Sequence, residues 1–140
     1  MNVEIYLTFN GECEEAFSFY KQVFNAESLE INRYEGTPNI NVPDEWKQKI
    51  LHARLTLRNG IQLMGADTMY DKPVSFGENV SITLNFIIRE DEIRVFDALS
   101  EGGTITMPLQ ETFWKSYFGM LTDKYGIQWM FNCINTSENK

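Results

Sequence analysis

The pattern Val3-x-Ile5-x-Leu7-x-Phe9 recurs as Val80-x-Ile82-x-Leu84-x-Phe86, every apolar position 77 residues further on. A chain that repeats itself at this distance builds one supersecondary unit twice, which restricts the fold more than any local propensity does. Strict alternation over seven residues is the pattern of a half-buried strand. Both copies then run into helical spacing, with Ala16, Phe19, Tyr20 and Val23 in the first and Ile93, Phe96 and Leu99 in the second. They also close alike: Gly60-Ile61-Gln62-Leu63-Met64 matches Gly126-Ile127-Gln128-Trp129-Met130 at an offset of 66. The first copy therefore carries 11 extra residues, the difference of the two offsets. Their natural place is Glu35 to Glu45, which holds Pro38 and Pro43 and cannot be regular strand throughout. This segment is expected to be a loop over an opening.

Between the shared ends, Leu51 to Leu57 alternates, and Asn59-Gly60 supplies a hairpin turn into the next strand. In the second copy Thr104 to Met107 stops ahead of Pro108, and Trp114 to Leu121 leads to the Lys124-Tyr125-Gly126 turn. Each half thus reads β-α-β-β-β. The fold class is α+β, with two tandem β-α-β-β-β modules forming a curved mixed sheet around a cleft. Module one covers about 1–66 and module two about 80–135, joined by a linker over about 67–79, in a single domain spanning 1–140. With 43% hydrophobic and 14% aromatic residues the 140-residue chain can build a packed core, yet it is too short for two average domains.

Charge excludes two classes of partner. A formal net charge of −8 leaves no electrostatic footprint for nucleic acid or for an anionic membrane surface. The longest uncharged stretch, Tyr125 to Ser137, has 13 residues and includes Gln128, Asn132 and Asn135, too short and too polar to span a membrane. No signal-peptide pattern precedes Val3. Cys13 and Cys133 lack a CxxC partner or a neighbouring histidine and read as reduced structural thiols, so a cytoplasmic location is expected.

Because strand side chains alternate, Val3, Ile5, Leu7 and Phe9 should face the helix of their own module while Glu4, Tyr6 and Thr8 face away. Ser81, Thr83 and Asn85 do the same in the second module. Such a polar face is either solvated or lines a cleft between modules, to which the closing strands add Gln62, Met64, Gln128 and Met130, with Trp129 as further apolar lining. His52 shares a face with Arg54 and Thr56 and is either a hydrogen-bonded structural histidine or an acid–base residue of the pocket. Asp67 is expected to cap the linker rather than line the pocket mouth, and most of Trp114, Tyr117, Phe118 and Trp129 to pack in the core rather than stack on a ligand. The acidic triplets Glu12, Glu14, Glu15 and Glu90, Asp91, Glu92 open the two helices as favourable N-terminal charges.

Paired β-α-β-β-β modules resemble the vicinal oxygen chelate superfamily, which includes glyoxalase I, bleomycin resistance proteins and extradiol dioxygenases. More narrowly, Tyr6-Leu7-x-Phe9-x-Gly11, Glu15-Ala16-x-x-Phe19-Tyr20 and Val23-Phe24 resemble the opening of PhnB-like proteins. Met107-Pro108-Leu109-x-Glu111-Thr112-Phe113-Trp114, Phe118-Gly119 and Thr122-Asp123-x-Tyr125-Gly126-Ile127-x-Trp129-Met130-x-Asn132 resemble their closing signature. The resemblance implies the glyoxalase/bleomycin resistance-like fold. It also implies four metal-ligand positions, which transfer through the repeat to Glu4, Met64, Ser81 and Met130. Only Glu4 among these is a hard donor, where Zn, Fe or Ni sites want at least three imidazole or carboxylate ligands. No metal and no cofactor is therefore expected. Nor does a glycine-rich turn after a strand support the methyltransferase-like label that such proteins have carried.

The expected function is binding of a small organic molecule, sequestered or transformed without a bound metal. The pocket candidates are Glu4, Tyr6, His52, Gln62, Met64, Ser81, Gln128 and Met130, in a chain that forms a homodimer. The negative field favours neutral or cationic ligands. Whether the chain is an enzyme stays open, as do its catalytic residues. A metal-dependent lyase, isomerase or dioxygenase using Glu4 and His52 is one alternative, and a non-catalytic dimeric assembly protein with a vestigial cleft is another.

Overall fold

The computed structural model describes residues 1–134 and divides into two compact units, Met1–Ser75 and one beginning at Phe76. The expected end of module two near residue 135 lies outside the described residues. The first unit runs β1 (Ile5–Phe9), α1 (Cys13–Phe24), β2 (Ser28–Arg33), β3 (Ile50–Thr56) and β4 (Gln62–Asp67). The second runs β5 (Ile82–Phe86), α2 (Arg89–Ser100), β6 (Thr104–Glu111), β7 (Ser116–Thr122) and β8 (Gln128–Ile134). Each unit is a four-stranded mixed sheet, ordered β1-β4-β3-β2 and β5-β8-β7-β6, with the first pair parallel and the others antiparallel. The α+β fold with duplicated β-α-β-β-β topology follows the sequence pattern.

The two closing hairpins are built by the same turn. The Leu57 amide donates to the Ile61 carbonyl at 2.8 Å and the Gly60 amide to Leu57 at 3.0 Å; Asp123, Ile127 and Gly126 repeat both bonds at 2.8 and 3.0 Å. Gly60 and Gly126 sit at φ of 85° and 93°, a left-handed conformation that a side chain would strain, so the glycine in each copy is a requirement of the turn.

The edge strand β2, the strand that the β-α-β-β-β pattern requires after the helix, lies between α1 and the inserted residues, where Leu29 and Ile31 alternate with exposed Ser28, Glu30 and Asn32. Two local features differ from the sequence expectation. Strand β6 continues through Pro108 to Glu111, because β6 is an edge strand and its register shifts on either side of Met107, where a proline costs no ladder bond that the sheet needs. Val3 and Val80, both exposed, precede the strands, so the helix-facing alternation starts at Ile5 and Ile82.

In the first unit Cys13, Ala16, Phe17, Tyr20 and Val23 of α1 are buried, and the Phe17 ring meets Phe9 edge-on at 6.2 Å. Phe17, rather than half-buried Phe19, reaches the sheet because Gly65 leaves room for it: a Cβ there would lie 2.8 Å from the Phe17 ring and 2.6 Å from the Leu7 carbonyl oxygen. In the second unit the buried stripe of α2 is Glu92, Val95, Phe96 and Leu99, and Ile93 is 40% exposed. The stripe is thus rotated from the expected one. It takes in a carboxylate because Arg89 reaches back to Glu92 at 2.9 Å while its guanidinium sits 4.0 Å over the Tyr117 ring.

Glu92 is therefore no solvated N-terminal charge. Its side chain is fully buried, and Oε2 has no hydrogen-bond partner among the described residues. Burial raises its pKa above the ordinary 4.5, opposed by Arg89. A carboxyl raised in the folded state contributes stability below its unfolded pKa and loses it as pH rises through the folded value. Glu92→Gln is expected to raise the melting temperature at pH 7, the gain vanishing as pH approaches 4. Thermal unfolding across that range checks this, and a variant less stable at every pH would refute it.

Candidate functional site

The register of the first sheet places Tyr6, Met64, Arg54 and Glu30 in one row across its four strands. In the next row Thr8 pairs with Ala66 and His52 with Asn32. Their strand neighbours Leu63, Gly65, Ala53 and Leu55 are buried on the side of α1, so this polar set occupies the face turned away from the helix, as the alternation predicts. Tyr6 reaches diagonally: its hydroxyl lies 3.3 Å from His52 Nδ1, with ring centroids 5.9 Å apart. Partial burial, and secondarily the charge of Cys13, raises the Tyr6 pKa. Which of the two groups donates follows the imidazole tautomer, since a phenol can give or accept this bond. Met64, only 4% exposed, packs beside Tyr6, and Gln62 is exposed at the start of β4. Exposed Glu4 precedes β1.

Asp67 does something other than cap the linker. From the end of β4, fully buried, its Oδ1 accepts from the amides of Gly11 and Cys13 and its Oδ2 from Ile50, each at 2.9 Å. It caps α1, whose own N-cap residue Glu12 makes no side-chain bond, and fixes the start of β3. The inserted segment is tied to the same corner. Tyr34 donates to the Asp67 carbonyl at 2.6 Å, the Trp46 indole to Thr68 at 3.0 Å, and Lys49 to the Gly11 carbonyl at 2.9 Å. The N-terminus of α1 is thus filled from within. Cys13 is buried here, its thiol pushed far above the usual range first by burial and then by Asp67; Cys133 is raised by burial and by Glu92. Burial thus disfavours the thiolate, the nucleophilic form, at both positions.

In the second unit Ser81 is half-buried just before β5, and Met130 pairs with Thr83 on one side and Met120 on the other. Gln128 has its amide engaged, Nε2 donating to the Gly77 carbonyl at 2.7 Å. Trp129 leaves the candidate lining. It is 1% exposed, its indole donates to Asp123 Oδ2 at 2.8 Å, and its register with Ile82 and Leu121 puts it on the helix side. Of the other aromatics expected in the core, Tyr117 and Phe118 are half-buried and Trp114 is 53% exposed. Trp114 sits in the β6–β7 turn, where Lys115 takes φ of 66° and Thr112 and Ser116 close the loop, so it is carried clear of the sheet. Asn85, expected on this polar face, is joined by Asn132 at 3.2 Å, and Met107 by Met120; Asn132, Met107 and Met120 are brought there by in-register pairing, which alternation alone does not show.

The residues do not fit a superfamily metal centre. Glu4, Met64, Ser81 and Met130 offer one carboxylate, two thioethers and a hydroxyl, and no group of three His, Cys, Asp or Glu is placed to hold an ion among the described residues. Glu4 and His52 lie two strands and two rows apart, roughly 15 Å by sheet spacing, so they cannot share one ion. No described helix is long and apolar enough to cross a membrane.

Two β-α-β-β-β units of this topology define a glyoxalase/bleomycin resistance-like fold. A glyoxalase/bleomycin resistance protein from Albidiferax ferrireducens T118 shares that fold at 12% identity, with a TM-score of 0.65 over 95% of this chain and 98% of that one. The chain belongs to the PhnB-like family whose model is described as 3-demethylubiquinone-9 3-methyltransferase, which it matches over residues 1–131. Protein PA1353 from Pseudomonas aeruginosa is 41% identical with a TM-score of 0.85, covering 96% of this chain and 98% of that one. A Bacillus cereus structure described as a 3-demethylubiquinone-9 3-methyltransferase, PhnB protein, is 30% identical with a TM-score of 0.80 over 95% and 99%. Protein YjdN of Escherichia coli (strain K12) is 32% identical over 143 residues, 96% of each chain.

Proposed function

We propose that this protein binds a small, neutral organic molecule on the sheet faces turned away from its helices, without a metal at the superfamily positions. The observation that supports this best is the Tyr6–His52 pair, a phenol and an imidazole in hydrogen-bond contact on a strand face, next to Met64. The His52 imidazole and the Tyr6 hydroxyl meet the ligand as hydrogen-bonding groups, Gln62 and Glu4 add polar contacts at the other end of the face, and Met64 supplies apolar contact. Ser81, Gln128 and Met130 serve the same role on the second sheet. The same imidazole is the group that would move a proton if the ligand is transformed. Methyl transfer, named in the family description, is not the activity we propose, since the helix N-terminus that follows β1 is taken by Asp67.

We further propose that two chains pair, an arrangement that would cover sheet-edge strands. Purified protein is expected to sediment as a two-chain species carrying no stoichiometric Zn, Ni, Fe or Mn. A single-chain species, or about one equivalent of such a metal surviving gel filtration and lost in Glu4→Ala, would contradict it.

A thermal-shift screen of neutral organic compounds tests the binding itself, because a ligand of the folded state raises the melting temperature by mass action. Tyr6→Phe and His52→Gln are each expected to weaken a bound compound by roughly ten- to hundredfold, the usual cost of removing one hydrogen-bond partner that a bound ligand covers. Compounds whose affinity ignores both substitutions would place their site elsewhere.

A further inference from the structure

The sheet face of the second unit turned away from α2 has a composition unlike the rest of the chain. The register of β5, β8, β7 and β6 aligns Thr83, Met130, Met120 and Met107 in one row. Three of the chain's six methionines thus stand on adjacent strands. Met107 joins the row only because a bulge separates it from Ile105, which pairs with helix-facing Leu121. The next row is Asn85, Asn132, Phe118 and Gln110. Neither row contains a charged side chain, in a protein where 23% of residues are charged. The three methionines are half-buried, so their thioethers are accessible without being solvated outright.

Asn132 Nδ2 donates to Asn85 Oδ1 at 3.2 Å. That bond uses one donor and one acceptor of the pair and leaves the Asn132 carbonyl and the Asn85 amide hydrogens available on the same face. Thioethers are polarizable and favour contact with aromatic rings. A charge-free face cannot neutralise an ionic ligand.

We infer that this face takes a neutral, planar, conjugated ring that lies along the methionine row and presents an adjacent hydrogen-bond donor and acceptor, of the lactam type, to Asn132 and Asn85. This names the ligand class for the second sheet and rests on the small-molecule reading above. The ligand N–H donates to Asn132 Oδ1 and its carbonyl accepts from Asn85 Nδ2.

The test uses the full chain with ¹³C-methyl methionine and three probes of similar shape: 2-quinolone, which carries the donor–acceptor edge, quinoline, which carries only an acceptor, and naphthalene, which carries neither. 2-Quinolone is expected to shift the methyl signals of Met107, Met120 and Met130, leaving Met1 and Met69 in place, and to bind roughly tenfold or more tightly than naphthalene, quinoline falling between. Asn85→Ala, at an exposed position, should erase the preference, as should Asn132→Ala. Equal affinity for 2-quinolone and naphthalene, or no shift in the three methyls, overturns the inference. Shifts confined to Met64 also overturn it while leaving the Tyr6–His52 face standing as a ligand site.

Discussion

Asp67→Ala is expected to lower the free energy of unfolding by roughly 3 to 5 kcal/mol, since hydrogen bonds to a charged group are worth about 1.5 to 3 kcal/mol each and their buried partners would be left unpaired. Three backbone amides, those of Gly11, Cys13 and Ile50, depend on this carboxylate. They belong to the helix entry and to the start of β3, so one substitution loosens the cap of α1 and the anchoring of the inserted segment together. A loss of that size is a large part of a typical domain's stability, about 5 to 15 kcal/mol. Asp67→Asn keeps one oxygen but sets an amide group against a backbone N–H, and about half the loss is expected. Urea unfolding of both variants decides the matter; an alanine variant within about 1 kcal/mol of the parent would show that the three bonds are dispensable.

Trp129→Ala should cost a similar amount, roughly 3 to 5 kcal/mol, by opening a cavity where the largest fully buried side chain among the described residues now sits. It also strips Asp123 of the indole donor at 2.8 Å, while Asp123 still accepts from the amides of Tyr125 and Ile127 in the turn. Trp129→Phe separates the two effects, retaining much of the packing and losing about 1 to 2 kcal/mol for the hydrogen bond. The same unfolding measurement applies, and equal losses in the two variants would assign the whole effect to Asp123.

Much of this molecule is legible from alternation and repetition. Ile5, Leu7 and Phe9 fall on the helix side and Tyr6 on the other because a strand has a period of two, and no packing detail is needed to say so. What alternation cannot show is register. That Tyr6 meets His52, 46 residues away, follows from β1 pairing with β4 and β4 with β3. The three aligned methionines depend on a bulge that no local pattern signals. Glu92 was hidden for a different reason: at the opening of a helix a carboxylate has a ready solvated explanation, and only the Arg89 contact makes burial tolerable. Asp67 looked like a turn residue because its partners Gly11, Cys13 and Ile50 are far away in sequence.

The sole histidine offers the most direct test of the central claim that the face carrying Tyr6 and His52 is the ligand site. His52 gives one imidazole spin system, observable in the intact protein while neutral organic compounds selected by thermal shift are titrated in. Binding at this face predicts that such compounds move the His52 ring signals in step with saturation, and that Tyr6→Phe both perturbs those signals in the free protein and weakens the titration by roughly tenfold or more. Compounds that saturate the protein while the His52 signals stay fixed, or that bind the Tyr6→Phe variant as tightly as the parent, would contradict it.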